Sequence, residues 1–299
     1  MQKPILPKGT RDFNSEELYK RNYIINIIKD NFLRFGFNPI ETPSFERSET
    51  LLGKYGQEGE RLIFKILKSG DFLKDTNVDE IKELKYSDLS PKIVDKALRY
   101  DLTVPFARYV VQNQNNITFP FKRYQIQKVY RGEDAKKSKG RFNEFYQSDI
   151  DVVGFNTLDI AYDSEFPAII CNIFKSVFNI ERFVMRISNR KLLEGLFREN
   201  GLKQVDKIKK AVRIIDDIEK VDRNTTLMSL DEVGIKLSDA ERILELFREL
   251  YERTPQDAIA YLKEYGFNNK QILEGISELE TVVNGIIANG VDSKYFKVD

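Results

Sequence analysis

Histidine is absent from all 299 residues, and cysteine occurs once, at Cys171. Disulfides within the chain, Cys/His zinc sites, Ser-His-Asp triads and Cys-His pairs are therefore excluded. What remains for chemistry is arginine, lysine, carboxylates and bound metal. That set suits phosphoryl or nucleotidyl transfer, where positioning and charge neutralisation outweigh proton traffic. Long apolar runs are missing too. Stretches such as residues 167–171 fall far short of the roughly 18 residues that a spanning helix needs. The opening Met1-Gln2-Lys3-Pro4-Ile5-Leu6-Pro7 has no unbroken apolar run like that of a signal peptide, so a cytoplasmic address is expected. Neither sign of charge is in surplus: the formal net charge is +1. An RNA partner would have to be held by local patches. Nor is there a G-x-x-x-x-G-K-[S/T] run, or a G-x-G-x-x-G after a strand, despite the glycines at 53, 56 and 59. Any bound nucleotide must be held in another way.

What is present is a globular composition, 41% hydrophobic and 32% charged, enough for one large domain or two smaller ones. Asn14 and Ser15 precede Glu16 and Glu17, and Ile24, Ile28, Phe32 and Phe35 recur at helical spacing up to Gly36, which predicts a helix. Pro39 and Pro43 mark residues 37–45 as an extended edge or interface strand. A short helix over 49–55 and a strand over 62–67 follow. Residues 76–96 read as a charged surface excursion with a helical piece near Ile93.

Three strands are then expected, at 98–103, 121–131 and 141–153, because side chains two apart share a face. The alternation places Arg99, Asp101 and Thr103 together. It does the same for Arg123, Gln125, Gln127 and Arg131, and for Phe145, Gln147, Asp149 and Asp151. A polar face over an antiparallel sheet results, either a salt-bridged surface or the floor of a site. The connection from Gly132 to Gly140 carries Lys136, Lys137 and Lys139 beside Arg141, a basic cluster able to meet phosphates or simply a mobile hairpin tip. Beyond 159 the pattern is helical, with a strand over 183–187 and a helix over 190–198. From 201 to 289 it is almost wholly helical.

These residues carry a resemblance. The run from Leu98 to Tyr109 is similar to the corresponding segment of histidine-tRNA ligases, particularly their eukaryotic-type branch. Lys128-Val129-Tyr130-Arg131-Gly132-Glu133 with residues 140–151 resembles class II motif 2. Leu6-Pro7-Lys8-Gly9-Thr10-Arg11-Asp12-Phe13 resembles the family's opening, and Glu41-Thr42-Pro43-Ser44-Phe45-Glu46 its motif 1.

The resemblance implies an α+β fold, a class II aminoacyl-tRNA synthetase-like antiparallel sheet flanked by helices, with a catalytic core over 1–198, a helical insertion module over 199–289 and the start of a further strand over 290–299. It also implies a homodimer with Pro43 at the interface, and ATP, Mg2+, L-histidine and tRNA(His) as cofactors and partners. By the same resemblance Arg131 is the catalytic residue and grips the ATP α-phosphate, Glu133 lies near the adenine amino group, Arg141 reaches the phosphates and Phe145 stacks under adenine. Asp101, Thr103 and Gln147 hold the α-amino group, and Asp151 meets the imidazole. The family continues with an Arg-Gly-Leu-Asp-Tyr-Tyr run, a motif 3 arginine and an anticodon-binding domain, none of which occurs here. The expectation is a C-terminally truncated ligase that charges tRNA feebly or not at all. The alternatives are the ligase-like regulatory subunit of histidine biosynthesis and a non-catalytic dimerisation or RNA-binding fragment.

Overall fold

The computed structural model describes residues 3–74, 76, 81, 86–133 and 140–299. Lys136, Lys137 and Lys139 lie outside them, as does much of the 76–96 excursion. The chain divides into two compact units, residues 1–157 and 158–299. The helix over 190–199 packs within the second unit.

In the first unit, α1 (Ser15–Arg34) starts with a capping box: the Asn14 side chain accepts from the Glu17 N–H, and the Glu17 carboxylate accepts from the Asn14 N–H. One sheet has the order β1 (Asn38–Pro39), β5 (Phe121–Tyr130), β6 (Glu144–Val153). The β1–β5 pair is parallel and the β5–β6 pair antiparallel. A second, antiparallel sheet has the order β2 (Phe45–Arg47), β4 (Val94–Leu98), β3 (Lys65–Leu67). Short helices α2 (Ser48–Leu51) and α3 (Gly56–Arg61) join β2 to β3, and α4 (Tyr86–Ile93) leads into β4. The helix expected over 49–55 is shorter, ending at Leu51, with a second one starting only at Gly56, and the extended segment over 37–45 pairs only near its ends.

One expectation fails outright. Residues 98–103 are not a strand: β4 ends at Leu98, and Thr103 begins α5 (Thr103–Asn113). The cause is local. Asp101 Oδ1 accepts from the Thr103 and Val104 N–H groups at 3.1 and 3.2 Å, satisfying the first free donors of the helix. Pro105 suits a first helical turn. The antiparallel array of three consecutive strands therefore reduces to the β5–β6 pair, which runs without a slip from Phe121↔Val153 to Tyr130↔Glu144. Its apolar side meets α1, where the Tyr124 and Phe32 rings lie 5.5 Å apart.

The second unit begins with a helical stretch, Ile160–Ser164 followed by α6 (Glu165–Cys171) and a π turn. It continues as β7 (Met185–Ile187), α7 (Arg190–Glu199), α8 (Val205–Asp216), α9 (Arg223–Val233), α10 (Leu237–Glu252), α11 (Pro255–Glu264), α12 (Lys270–Ala288) and β8 (Phe296–Val298). The apolar spacing read over 201–289 becomes a core of Leu202, Ile208, Leu230, Ile235, Ile243 and their neighbours. No helix among the described residues is long and apolar enough to cross a membrane.

Asn189 caps α7 by accepting from the Lys191 N–H at 2.8 Å and the Leu192 N–H at 3.2 Å, and it donates to Glu278 Oε2 of α12 at 2.9 Å. Asn189→Ala is expected to lower the unfolding free energy by about 1–2 kcal/mol. Urea denaturation checks it; an unchanged midpoint would mean that water replaces the cap.

Candidate active site

The register of β5 and β6 puts Arg123 opposite Asp151, Gln125 opposite Asp149, Gln127 opposite Gln147 and Val129 opposite Phe145. Directly opposed side chains share a face, so one face carries Phe145, Gln147, Asp149 and Asp151 beside Arg123, Gln125 and Gln127. The ladder continues past β5 through the Arg131 N–H, which donates to the Asn143 carbonyl at 2.9 Å. Arg131 is held half-buried. Its Nε donates to the Tyr100 carbonyl at 3.2 Å, and its guanidinium lies 4.4 Å from the Tyr100 ring centre and 5.2 Å from that of Phe145. A planar cation over aromatic faces keeps its charge while its fork stays oriented.

Asp101 reaches the same region from the turn before α5, since the Tyr130 N–H donates to the Arg99 carbonyl at 3.0 Å and ties that turn to the end of β5. The Asp101 carboxylate also accepts from the Tyr55 hydroxyl at 2.8 Å. Burial, with Asp101 close by, holds the Tyr55 phenol far above its ordinary value. The Thr103 side chain is exposed at the helix start. Gln147 Nε2 donates to Asp149 Oδ2 at 3.1 Å, while Gln147 Oε1 is buried with no hydrogen-bond partner among the described residues. An unpaired buried acceptor costs free energy unless a ligand donor meets it.

Asp151 is ion-paired to Arg123. Burial pushes both the Asp151 and Asp149 carboxyls above the usual range; Arg123 opposes the rise in each and Asp101 adds to it. Glu133 and Arg141 pair with each other at 2.9 Å. The Arg141 side chain is 67% exposed, so solvent screens the pair and it opens at little cost. Pro43 is exposed, and its carbonyl accepts from Arg99 Nη1 at 3.2 Å.

The structure thus gathers Arg131, Phe145, Gln147, Asp151 and Asp101, while Arg99 leaves the group. Its side chain is buried and donates to the carbonyls of Lys128 and Thr42 at 2.6 and 2.7 Å, clamping β4, β5 and the β1–β2 segment together. Tyr55 is an addition that the pattern did not single out, and Arg123, which the alternation placed on this face, joins the group as the ion-pair partner of Asp151. Among the described residues, no group of three or more His, Cys, Asp or Glu side chains could hold a metal ion.

No protein-family model matches the chain. The histidine-tRNA ligase of Christiangramia forsetii is 46% identical over 288 residues, covering 95% of this chain and 60% of its own length. That of Cytophaga hutchinsonii is 42% identical over 299 residues, 100% of this chain and 64% of its own. The crystal structure of histidyl-tRNA synthetase from Nostoc sp. PCC 7120 superimposes with a TM-score of 0.82 at 33% identity, over 100% of this chain and 61% of that one. The α+β fold is therefore shared with that synthetase, and the chain spans about three fifths of the length of the relatives it matches.

Proposed function

The chain is homologous to histidine-tRNA ligases along nearly its whole length, and from that premise we propose that the β5–β6 face is the amino-acid activation site of a class II aminoacyl-tRNA synthetase. The reaction is ATP-dependent formation of histidyl-adenylate followed by transfer to tRNA(His). One observation carries the reading: a half-buried arginine over two aromatic rings shares a sheet face with Gln147 and Asp151, with Asp101 alongside.

Activation forms a bond from a histidine carboxylate oxygen to the α-phosphorus and breaks the bond to the bridging oxygen of the leaving pyrophosphate. No proton has to move, so the protein's work is alignment and charge stabilisation. Arg131 takes the α-phosphate, Phe145 lies under adenine, Glu133 meets the adenine amino group, and Arg141 turns from Glu133 to the outer phosphates. Asp101, Thr103 and Gln147 hold the ammonium, Gln147 Oε1, which has no partner among the described residues, being a ready acceptor, and Asp151 accepts from the imidazole. Mg2+ held on the ATP phosphates would neutralise part of their charge, and it would need few protein carboxylates.

The exposed Pro43 segment, with the exposed Tyr19 and Tyr23 of α1, serves a homodimer interface. The α8–α11 helices form the insertion module, and the working compartment is the cytoplasm. Neither a regulatory subunit nor a bare dimerisation fragment requires the full set of Arg131, Glu133, Gln147 and Asp151.

The test is ATP-pyrophosphate exchange with each amino acid in turn. It is run on the 299-residue chain and on a chimera joining it to the remaining part of the Christiangramia forsetii relative. Histidine-dependent exchange by the chimera is expected, with much feebler turnover by the chain alone. A chimera that exchanges with no amino acid, or with one other than histidine, would overturn the reading.

A further inference from the structure

Arg123 heads the large side chains that are completely buried, with 0% exposure. A guanidinium in a protein interior carries a desolvation cost that its ion pair seldom more than offsets, and an apolar side chain of similar volume would serve stability as well. Its surroundings point to a different purpose. The guanidinium lies 4.1 Å from the Phe106 ring centre, Nη1 reaches the Asp149 carbonyl at 3.5 Å, and Nη2 is ion-paired to Asp151. Nε finds no hydrogen-bond acceptor among the described residues. Arg123 stands directly across the strand pair from Asp151, beneath the carboxylate assigned to the ring of the amino acid. The other charged groups facing Asp151 are acidic: Asp149 on its own strand and Asp101 from the turn before α5, itself held by the Tyr55 hydroxyl. Among these described groups, Arg123 is the single cation opposing three carboxylates.

We propose that Arg123 is a positioning residue for substrate selection: paired to one oxygen of Asp151, it fixes that carboxylate's direction and leaves the other oxygen to accept from the imidazole N–H. The proposal rests on the reading of this face as a histidine site. Without the cation, three carboxylates share a half-buried space, and Asp151 takes up a proton more readily and loses its fixed direction. The adenine and phosphate contacts at Arg131 and Phe145, at the far end of the strand pair, are untouched by the change.

The experiment is calorimetric titration of the 299-residue chain with L-histidine and, separately, with ATP, from about pH 5 to about pH 8. It compares Arg123→Met, Arg123→Lys, Asp151→Asn and the Arg123→Met/Asp151→Asn double variant. Arg123→Met is expected to weaken histidine binding about 10-fold or more with ATP binding unchanged. Its gain in histidine affinity on deprotonation should move to higher pH. Arg123→Lys, which keeps the charge but not the fork, should recover part of the affinity and most of the pH profile. In the Asp151→Asn background, Arg123→Met should add little, since the pair acts as a unit. Wild-type histidine affinity in Arg123→Met would overturn the inference and leave the site reading standing. So would an equal loss for ATP and histidine with an unmoved pH profile, which marks a purely structural role. Failure of the unaltered chain to bind histidine would overturn the site reading and this inference with it.

Discussion

Replacing Arg131 with alanine is expected to slow ATP-pyrophosphate exchange on the order of 10²-fold or more, the usual consequence of removing one preorganised electrostatic donor from a transition state. The side chain is a cation seated at the junction of the β5 ladder, the Asp101 turn and the Phe145 ring. Its orientation is fixed before substrate arrives. Arg131→Lys keeps the charge but forfeits the planar fork and part of the stacking, so an intermediate loss is expected. The measurement is steady-state exchange by the chimera, with nucleotide affinity determined in parallel. A loss in rate exceeding the loss in affinity marks stabilisation of the transition state. Exchange at the unaltered rate would remove Arg131 from the mechanism.

The largest stability effect is expected at Gly275, in the second turn of α12. A Cβ there would come within 2.6 Å of the Leu192 backbone nitrogen and 2.9 Å of Asn189 Oδ1. Across the same contact, a Cβ on Gly195 of α7 would meet Ile272 Cγ1 at 2.6 Å and the Ile272 nitrogen at 3.2 Å. Glycine inside a helix costs about 1 kcal/mol relative to alanine, and here that cost allows two helices to lie backbone against side chain. Backbone cannot swing aside as a flexible side chain does. Gly275→Val is expected to destabilise the second unit by about 3 kcal/mol or more, combining overpacking with disturbance of the Asn189 cap. Chemical denaturation followed by circular dichroism checks this; a loss below about 1 kcal/mol would show that α7 and α12 can separate freely.

Legibility in the sequence followed the range of the forces involved. The β5–β6 pair was readable because ten residues on each strand alternate without a bulge, so the shared face of Phe145, Gln147 and Asp151 follows from parity alone. The α8–α12 helices were readable because each buries an apolar stripe at helical spacing. The 98–103 segment misled because six alternating residues imitate a strand, whereas the deciding interaction is the Asp101 carboxylate accepting from two N–H groups at the start of α5. Pro105 was the available signal. The two sheets of the first unit and the clamp made by Arg99 depend on carbonyls 29 to 57 residues away in sequence, beyond the reach of any local pattern. Arg123 was placed on the right face, yet nothing in the pattern separates a buried arginine from a solvated one.

The parallel pairing of β7 with β8, Met185↔Phe296 to Ile187↔Val298, means that the chain leaves and re-enters the same spot, with α7 against α12 just inside. Everything from α8 to α11 is thus a closed excursion whose ends are stapled independently of its contents. The entropy of closing such an excursion rises only with the logarithm of its length, about 0.6 kcal/mol for each doubling. Length in this stretch is consequently cheap to vary, and helices here can be gained or lost between relatives while the β7–β8 staple stays in register.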